Sequence, residues 1–414
     1  MENTDVIVIG AGIAGLCTAF ELRMRGRKVT LLDPAQPGSQ CSFGNAGALS
    51  RSSVAPLAMP GAIKNALGML IDADSPLYVP PRSWLASTPW LLSFIRASQP
   101  SRVRAIAAAL NTLLAPSLDD HRRLAERIGA SHLLSHTGQL HLYPDLQAMR
   151  KDAAGWDLKR SHGVDAEVVD RKAIEALEPA IAERYQAGVF IPGDASLRSP
   201  HDYTAAIFHA FTQAGGDFAH SEVRAIGSSG GAWEADNGER TWRAPHLVVA
   251  AGAWSQRVLK TTGVRVPLIN QRGYHVHLPH SRVSLNRVVA LTDRKIFINP
   301  MHDGLRIAGT VEFDSLERPL NRERALALKA HAAAGLQGLQ FDEESVWLGH
   351  RPCLPDSMPV LGEVPDRPGL WCAFGHGHLG MTEGPTTGRW IAEAICEGVA
   401  EVMKPFSIRR FIRA

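Results

Sequence analysis

The run Val6-Ile7-Val8-Ile9-Gly10-Ala11-Gly12-Ile13-Ala14-Gly15 decides the fold of this 414-residue chain. Four apolar residues in succession, all β-branched, read as a short strand buried on both faces. The glycine turn after them opens a helix over Ile13 to Arg25, with Leu16, Ala19, Phe20 and Leu22 on helical spacing and Gly26 as its stop. Lys28 to Leu32 is a second strand, and it closes at Asp33. Strand, turn, helix and strand make a βαβ unit at the extreme N-terminus.

Within that unit, Gly10-Ala11-Gly12-Ile13-Ala14-Gly15 is G-x-G-x-x-G in its working context. The first glycine permits the tight turn, the second lets backbone approach a pyrophosphate, and the third lets helix pack on strand. A pyrophosphate there meets free N–H groups and the positive end of a helix dipole. Asp33, 18 residues after Gly15, offers a carboxylate to ribose hydroxyls and disfavours a 2′-phosphate, hence NADP. The fingerprint alone leaves FAD and NAD open.

Working outward, three further segments favour flavin. Ser42-Phe43-Gly44-Asn45-Ala46-Gly47-Ala48-Leu49-Ser50 is small enough for backbone to lie against a flat ring, with Asn45 and Ser50 as hydrogen-bonding side chains. Val223, on a strand read over Ser221 to Ile226 ahead of a turn at Gly227 to Gly231, is a cofactor-side residue outside those three segments. A strand at Leu247 to Ala251 then leads into Gly252-Ala253-Trp254. Gly375-His376-Gly377-His378-Leu379-Gly380-Met381 precedes a last helix read from Thr386 to Glu397, whose N-terminus would favour the negative charge of a reduced flavin. A purely structural glycine turn is the plain alternative for that loop.

The middle of the chain reads differently. Residues 84 to 130 look mostly helical, and His201 to Gly215 is another helix. Gly273 to Leu278 alternates as a strand, and Lys295 to Asn299 with Leu305 to Thr310 forms a hairpin around His302-Asp303-Gly304. Val346 to Cys353 and Leu370 to Phe374 are later strands, and Gly38 to Pro60 is an ordered loop. The expectation is an α/β protein. A Rossmann-type dinucleotide domain (1–60, 150–265 and 345–414) would interleave with an α+β substrate domain built on a mixed sheet (61–149 and 266–344).

Composition bounds the function. The chain is 45% hydrophobic and 21% charged, with Lys+Arg 44 against Asp+Glu 41, and it has no long like-charge run; nothing points to nucleic acid. Five cysteines without a C-x-x-C pair argue against a disulfide frame or a zinc site, and His275 with His277 lacks a completing ligand, so no metal is expected. No signal-peptide pattern opens the chain, and no apolar run reaches the roughly 18 residues a bilayer requires. The expectation is a cytoplasmic protein. The apolar stretch Trp84 to Ile95 could touch the inner face of the cytoplasmic membrane, or be a buried helix, and the basic tail around Arg409, Arg410 and Arg413 reads as a solvated terminus.

Taken in order, the fingerprint, the Ser42–Ser50 segment, and Arg351-Pro352 followed by Asp356, Pro359 and Gly362 resemble the D-amino acid oxidase superfamily of FAD enzymes. The bacterial D-amino acid dehydrogenases and their hydroxyproline-oxidising relatives are the most similar branch. The resemblance implies non-covalent FAD, although Cys353 lies close to the site-forming loop. It also implies hydride transfer from an amino acid's α-carbon to flavin N5, with electrons leaving to a quinone or other carrier, or to oxygen. Arg351 resembles the residue that grips the substrate carboxylate; an ion pair with Asp356 is its structural alternative. Tyr274 could donate to the same carboxylate or fill the core, and His376, His378 and His350 could contact ring, substrate or backbone. No dedicated general base stands out. An NAD-dependent dehydrogenase and a non-catalytic flavin-binding protein remain as rival classes.

Overall fold

The computed structural model describes residues 2–60, 77–80 and 83–412. The substrate-domain stretch 61–76 and Arg413 lie outside the described residues.

Val6–Ile9 is the centre of a six-stranded sheet. Its order is Asp217–His220, Val29–Asp33, Val6–Ile9, His246–Val249, Leu370–Phe374 and Val360–Glu363. Every neighbouring pair is parallel except the last. The strand's alternation assigns its two faces. Val6 and Val8 pack under the helices Ile13–Met24, Pro200–Gln213 and Gly380–Glu397. Ile7 and Ile9 pack with Trp233 and Trp242 of a four-stranded side sheet. Helices, parallel sheet and side sheet are the three layers of a doubly wound unit.

A second, broader sheet runs Ser345–Cys353, Ile269–Pro279, Gly304–Phe313, Ile296–Met301, Val288–Leu291, Gln139–Tyr143, Ala187–Ile191 and Glu167–Asp170. It is mixed: Val288–Leu291 pairs parallel with Gln139–Tyr143 inside an otherwise antiparallel path. One face carries Tyr274, Val276, Leu278, Ile296 and Ile307 against the helix Arg322–Ala333. The other face turns toward the doubly wound unit.

Several expectations shift. The strand read over 221–226 is two strands, Asp217–His220 in the parallel sheet and Ala225–Ser229 in the side sheet. Residues 221–224 cross between them, and the turn narrows to Gly230 and Gly231, both at positive φ. The last helix starts at Gly380, six residues before Thr386. Glu167–Asp170, Ala187–Ile191 and Ser345–Cys353, placed by the sequence reading in the dinucleotide domain, hydrogen-bond into the broad sheet. The helices Pro100–Leu114 and Ser117–Arg127, placed with the substrate domain, pack in the first core, where Asp120 accepts from Thr386 and Arg389. Local patterning shows that a segment is a strand or helix; it carries no information about which sheet or core receives it.

Candidate active site

Between the two sheets lies a cavity of ≈ 630 Å³, within the ~300–1,000 Å³ that encloses a cofactor-sized ligand. Its two ends are built differently.

At one end stands the glycine turn. A Cβ on Gly10, which sits at φ +107, would lie 2.4 Å from the Ala250 oxygen, and one on Gly15 would lie 1.8 Å from the Gly10 oxygen. Gly12 has only the Ser42 hydroxyl near, at 3.6 Å, and lines the cavity. A side chain at Gly12 would fill the cradle; hydrogen there keeps it open to a ligand. The Ile13 N–H donates to Ser42 Oγ at 2.9 Å. Asp33 accepts from the Ala11 N–H (2.7 Å) and the Ala35 N–H (2.8 Å), which fixes its carboxylate beside the cradle. Burial raises its pKa from the ordinary value, against the pull of those two N–H groups. These features fit a dinucleotide: a glycine cradle, a helix N-terminus and a fixed ribose-side acid.

The last helix brings a second N-terminus to the cavity. His378, Leu379, Gly380 and Met381 line the wall, and no side chain caps the helix. Pro385 lies inside it, removing the N–H that would have bonded the Met381 carbonyl. His121 Nε2 donates to that carbonyl instead (2.8 Å), while Tyr203 bonds its Nδ1 (3.0 Å). A carbonyl only accepts, so the proton is on Nε2. Glu383, the acid of the first turn, is fully buried, and burial pushes its pKa well above the usual range; as a neutral group it leaves the dipole's positive end intact.

The other end is a wall of side chains from the broad sheet. Trp347, Gly349 and Arg351 alternate along one strand face, and Gly273 lies on the neighbouring strand. A Cβ on Gly273 would lie 2.5 Å from the Arg351 guanidinium, so the glycine makes room for it. Arg351 has no carboxylate partner among the described residues. Asp356, its alternative partner, is bound to Arg410 at 2.7 Å. Burial lowers the Arg351 pKa, countered by the thiols of Cys353 and Cys41, but a guanidinium stays charged. The acids in the cavity wall, Asp33 and Glu222, belong to the nucleotide end.

The expected site residues divide accordingly. Gly10, Gly12, Ile13, Ala14, Asp33, Ser42, Asn45, Ala46, Val223, Ala251, Gly252, Trp254, His378, Leu379, Gly380 and Met381 line the cavity. Gly15, Gly47, Leu49 and Gly375 are not among its lining residues. Gly15 packs on Gly10, Gly47 is pressed against Asn299 and Leu197, and Gly375 against Leu354. Leu49 is a core residue whose strand neighbours Ala48 and Ser50 face the cavity in its place. Asn45 spends its side-chain oxygen on the Gly47 N–H, and Ser50 bonds Gln139.

Two expected catalytic groups are otherwise engaged. Tyr274 and His376 both line the cavity, but the Tyr274 hydroxyl donates to Glu312 at 2.7 Å and the residue packs in the helix-covered core. His376 Nε2 bonds Thr387 Oγ1 at 3.0 Å, and burial brings its pKa to about 4, so it is a neutral strut between loop and helix. His350 bonds Asn270 and is likewise neutral, its pKa about 4. His275 and His277 diverge, the first to the Gly44 carbonyl and the second to within 3.1 Å of Asp303. Cys353 is buried beside Gln271, its thiol pushed up to about 12 and therefore a poor nucleophile. Sequence reading missed Trp347, Gly349, Gln271 and Gly273; extending the Arg351 strand backward in steps of two would have found the first two.

A glycine cradle for a dinucleotide, facing an unpaired cation across one cavity, is the construction of a dinucleotide-dependent oxidoreductase. The chain belongs to the DAO family of FAD-dependent oxidoreductases, whose model matches residues 5–394. It is 33% identical to a D-amino-acid oxidase of Bradyrhizobium diazoefficiens over 99% of this chain and all of that one. It is 31% identical to a D-amino acid dehydrogenase of Dechloromonas aromatica, covering 97% and 99%. Among solved structures, glycine oxidase from Geobacillus kaustophilus shares the fold over the full length of both chains, with a TM-score of 0.77 at 24% identity. L-proline dehydrogenase from P. horikoshii does the same, with a TM-score of 0.77 at 17%. The cofactor of this enzyme is FAD.

Proposed function

We propose that the enzyme oxidises the C–N bond of a small D-amino acid or cyclic imino acid, passing electrons to a quinone or other carrier. The observation that carries this reading is Arg351: a half-buried cation, without a carboxylate partner among the described residues, in the same cavity as the dinucleotide cradle. A guanidinium in that state calls for a carboxylate, which it grips by two parallel hydrogen bonds. The names of the two relatives support an amino acid with the D configuration.

Bound FAD supplies the hydride acceptor. The chain supplies orientation. Arg351 fixes the substrate carboxylate, Gly273 keeps the guanidinium in place, and the wall of Trp347, Phe297 and Val311 excludes water from the α-carbon. His378 lines the cavity, and its withdrawal from bulk water there, with the nearby Arg351 charge, lowers its pKa. It therefore stands as a neutral hydrogen-bond acceptor for the substrate amine, and the amine's own proton leaves to water.

A dye-reduction screen of the purified yellow protein tests the reading, using D- and L-amino acids, glycine, sarcosine and hydroxyproline isomers. Reduction by D-substrates supports it, and reduction by L-substrates alone overturns it. Oxygen is the second reading for the acceptor, favoured by the relative named an oxidase; peroxide formed at the rate of substrate loss would establish it. A peripheral membrane site for the carrier is part of the proposal. On the helix Trp84–Ala97, Leu85 is 91% exposed, with Trp84, Leu92 and Ile95 exposed beside it and the cations Arg96, Arg102 and Arg104 nearby. Among the described residues no helix is long and apolar enough to cross a membrane. Flotation with anionic liposomes tests this contact, and a wholly soluble fraction ends it.

A further inference from the structure

The segment Ser42–Ala46 spans the middle of the cavity. Ser42 holds the Ile13 N–H at the nucleotide end. Gly44 lies flat on Trp347 at the substrate end, where a Cβ would come within 2.2 Å of the indole. A flavin whose nucleotide tail is moored at the glycine turn and whose ring meets a substrate on Arg351 must pass along this segment.

Its carbonyls from Phe43 to Ala46 are turned toward the broad sheet. Arg306 Nη1 donates to the carbonyls of both Phe43 (3.0 Å) and Asn45 (2.8 Å). His275 Nδ1 donates to that of Gly44 (2.9 Å), and Asn299 to that of Ala46 (2.9 Å). The three donors come from three adjacent strands, with His277 and Asn299 both in register with Arg306. In a trans peptide the N–H points opposite its C=O. Pinning these carbonyls turns the N–H groups away from the sheet: those of Gly44 and Asn45 bond the carbonyls of Gln40 and Ser42 at 3.4 Å, and Gly44, Asn45 and Ala46 all line the cavity.

Arg306 also brings charge. It is buried, no carboxylate is ion-paired to it among the described residues, and its Nε has no partner. Asp303, the acid whose field reaches it, lies beside His277. His275 is neutral, its pKa about 3 through burial and the Arg306 charge. Behind this wall there is thus one buried cation, held by backbone dipoles of the very segment that flanks the ring. A buried positive charge favours the more electron-rich of two redox states.

We propose that Arg306 is a positioning residue for the flavin: it fixes the peptide wall through two carbonyls and biases the bound cofactor toward its reduced state. This rests on FAD occupying the cavity, and it is independent of which substrate is oxidised.

The test is the midpoint potential and the flavin dissociation constant of the purified holoenzyme and three variants, none of which requires a substrate. Arg306→Met removes charge and donors at similar length. It should weaken oxidised flavin about tenfold and reduced flavin about a further tenfold, the latter lowering the potential by about 30 mV for two electrons. Arg306→Lys keeps a cation with several N–H groups and should recover most of both losses. His275→Phe removes one neutral donor, and should weaken flavin while leaving the potential in place. Wild-type potential in Arg306→Met, or no recovery in Arg306→Lys, overturns the proposal. Should Arg306→Met fail to fold, Arg306→Gln replaces it with the same expected fall in potential and the same overturning result.

Discussion

The two ends of the cavity are made of different materials. The nucleotide end is backbone: Gly10, Gly12, the N-terminus of the first helix and the N–H groups that hold Asp33. The end proposed for the substrate is side chains on a sheet, with Arg351, Gly273 and Trp347 brought together by strand register. A backbone site is specified by adjacent residues, so it tolerates almost no local change and is indifferent to substrate. A register site is assembled from distant segments, and single changes there should alter turnover while leaving the cofactor bound. The contrast makes the two ends separable by experiment.

The sharpest way to break it is Arg351→Ala. Removing one partner of a hydrogen-bonded charge pair costs about 2–5 kcal/mol, so kcat/KM should fall about 30- to 5,000-fold while flavin content stays at wild type. Loss of flavin in that variant would merge the two ends. Gly15→Ala is the converse. Its Cβ would sit 1.8 Å from the Gly10 oxygen, a backbone clash costing about 1–3 kcal/mol. Purified protein should be largely colourless and melt lower, with any remaining holoenzyme showing normal KM.

A pH prediction sits next in size. His121 and His376 have pKa values lowered from 6.5 to about 4 by burial. The unfolded chain binds more protons than the fold between those values, so stability rises with pH across that window. Lowering the pH from 7 to 5 should cost roughly 2 kcal/mol per histidine, read as a lower denaturant midpoint. His376→Gln should flatten that dependence; an unchanged slope would mean the ring is not held neutral. Smallest is Gly273→Ala, whose Cβ would lie 2.5 Å from the guanidinium. Displacing so long a side chain should raise KM about tenfold, ~1.4 kcal/mol, with potential and flavin affinity unchanged.

The nucleotide end was legible in the sequence because its parts are consecutive: strand, Gly10 to Gly15, helix and Asp33 read as one pattern. Arg351 was legible through family resemblance and through its place at the end of a strand. Tyr274 was ambiguous in the sequence because Gly273 to Leu278 is buried on both faces, so hydrophobic alternation does not tell which side its hydroxyl takes; it lines the cavity while its hydroxyl bonds Glu312. The start of the last helix was misread because Gly380, Gly384 and Pro385 have the composition of a loop. Gly384 is small because Ile13 lies 2.6 Å from where its Cβ would be, and Gly388 because Cys17 does. Those glycines serve packing against the first helix, a reason invisible without the partner. His121, which makes Pro385 tolerable, is 260 residues distant from the carbonyl it serves.

That distance ties one wall of the cavity to segments far apart in the chain. The turn of the last helix that faces the cofactor is completed by His121, His121 is held by Tyr203, and the helix lies on the first helix of the chain. Nascent protein lacking its final forty or so residues would possess the glycine cradle without its opposite wall. The cradle alone is half a site: a cofactor enclosed by both walls requires the last helix docked on the first, so its retention reports on that docking.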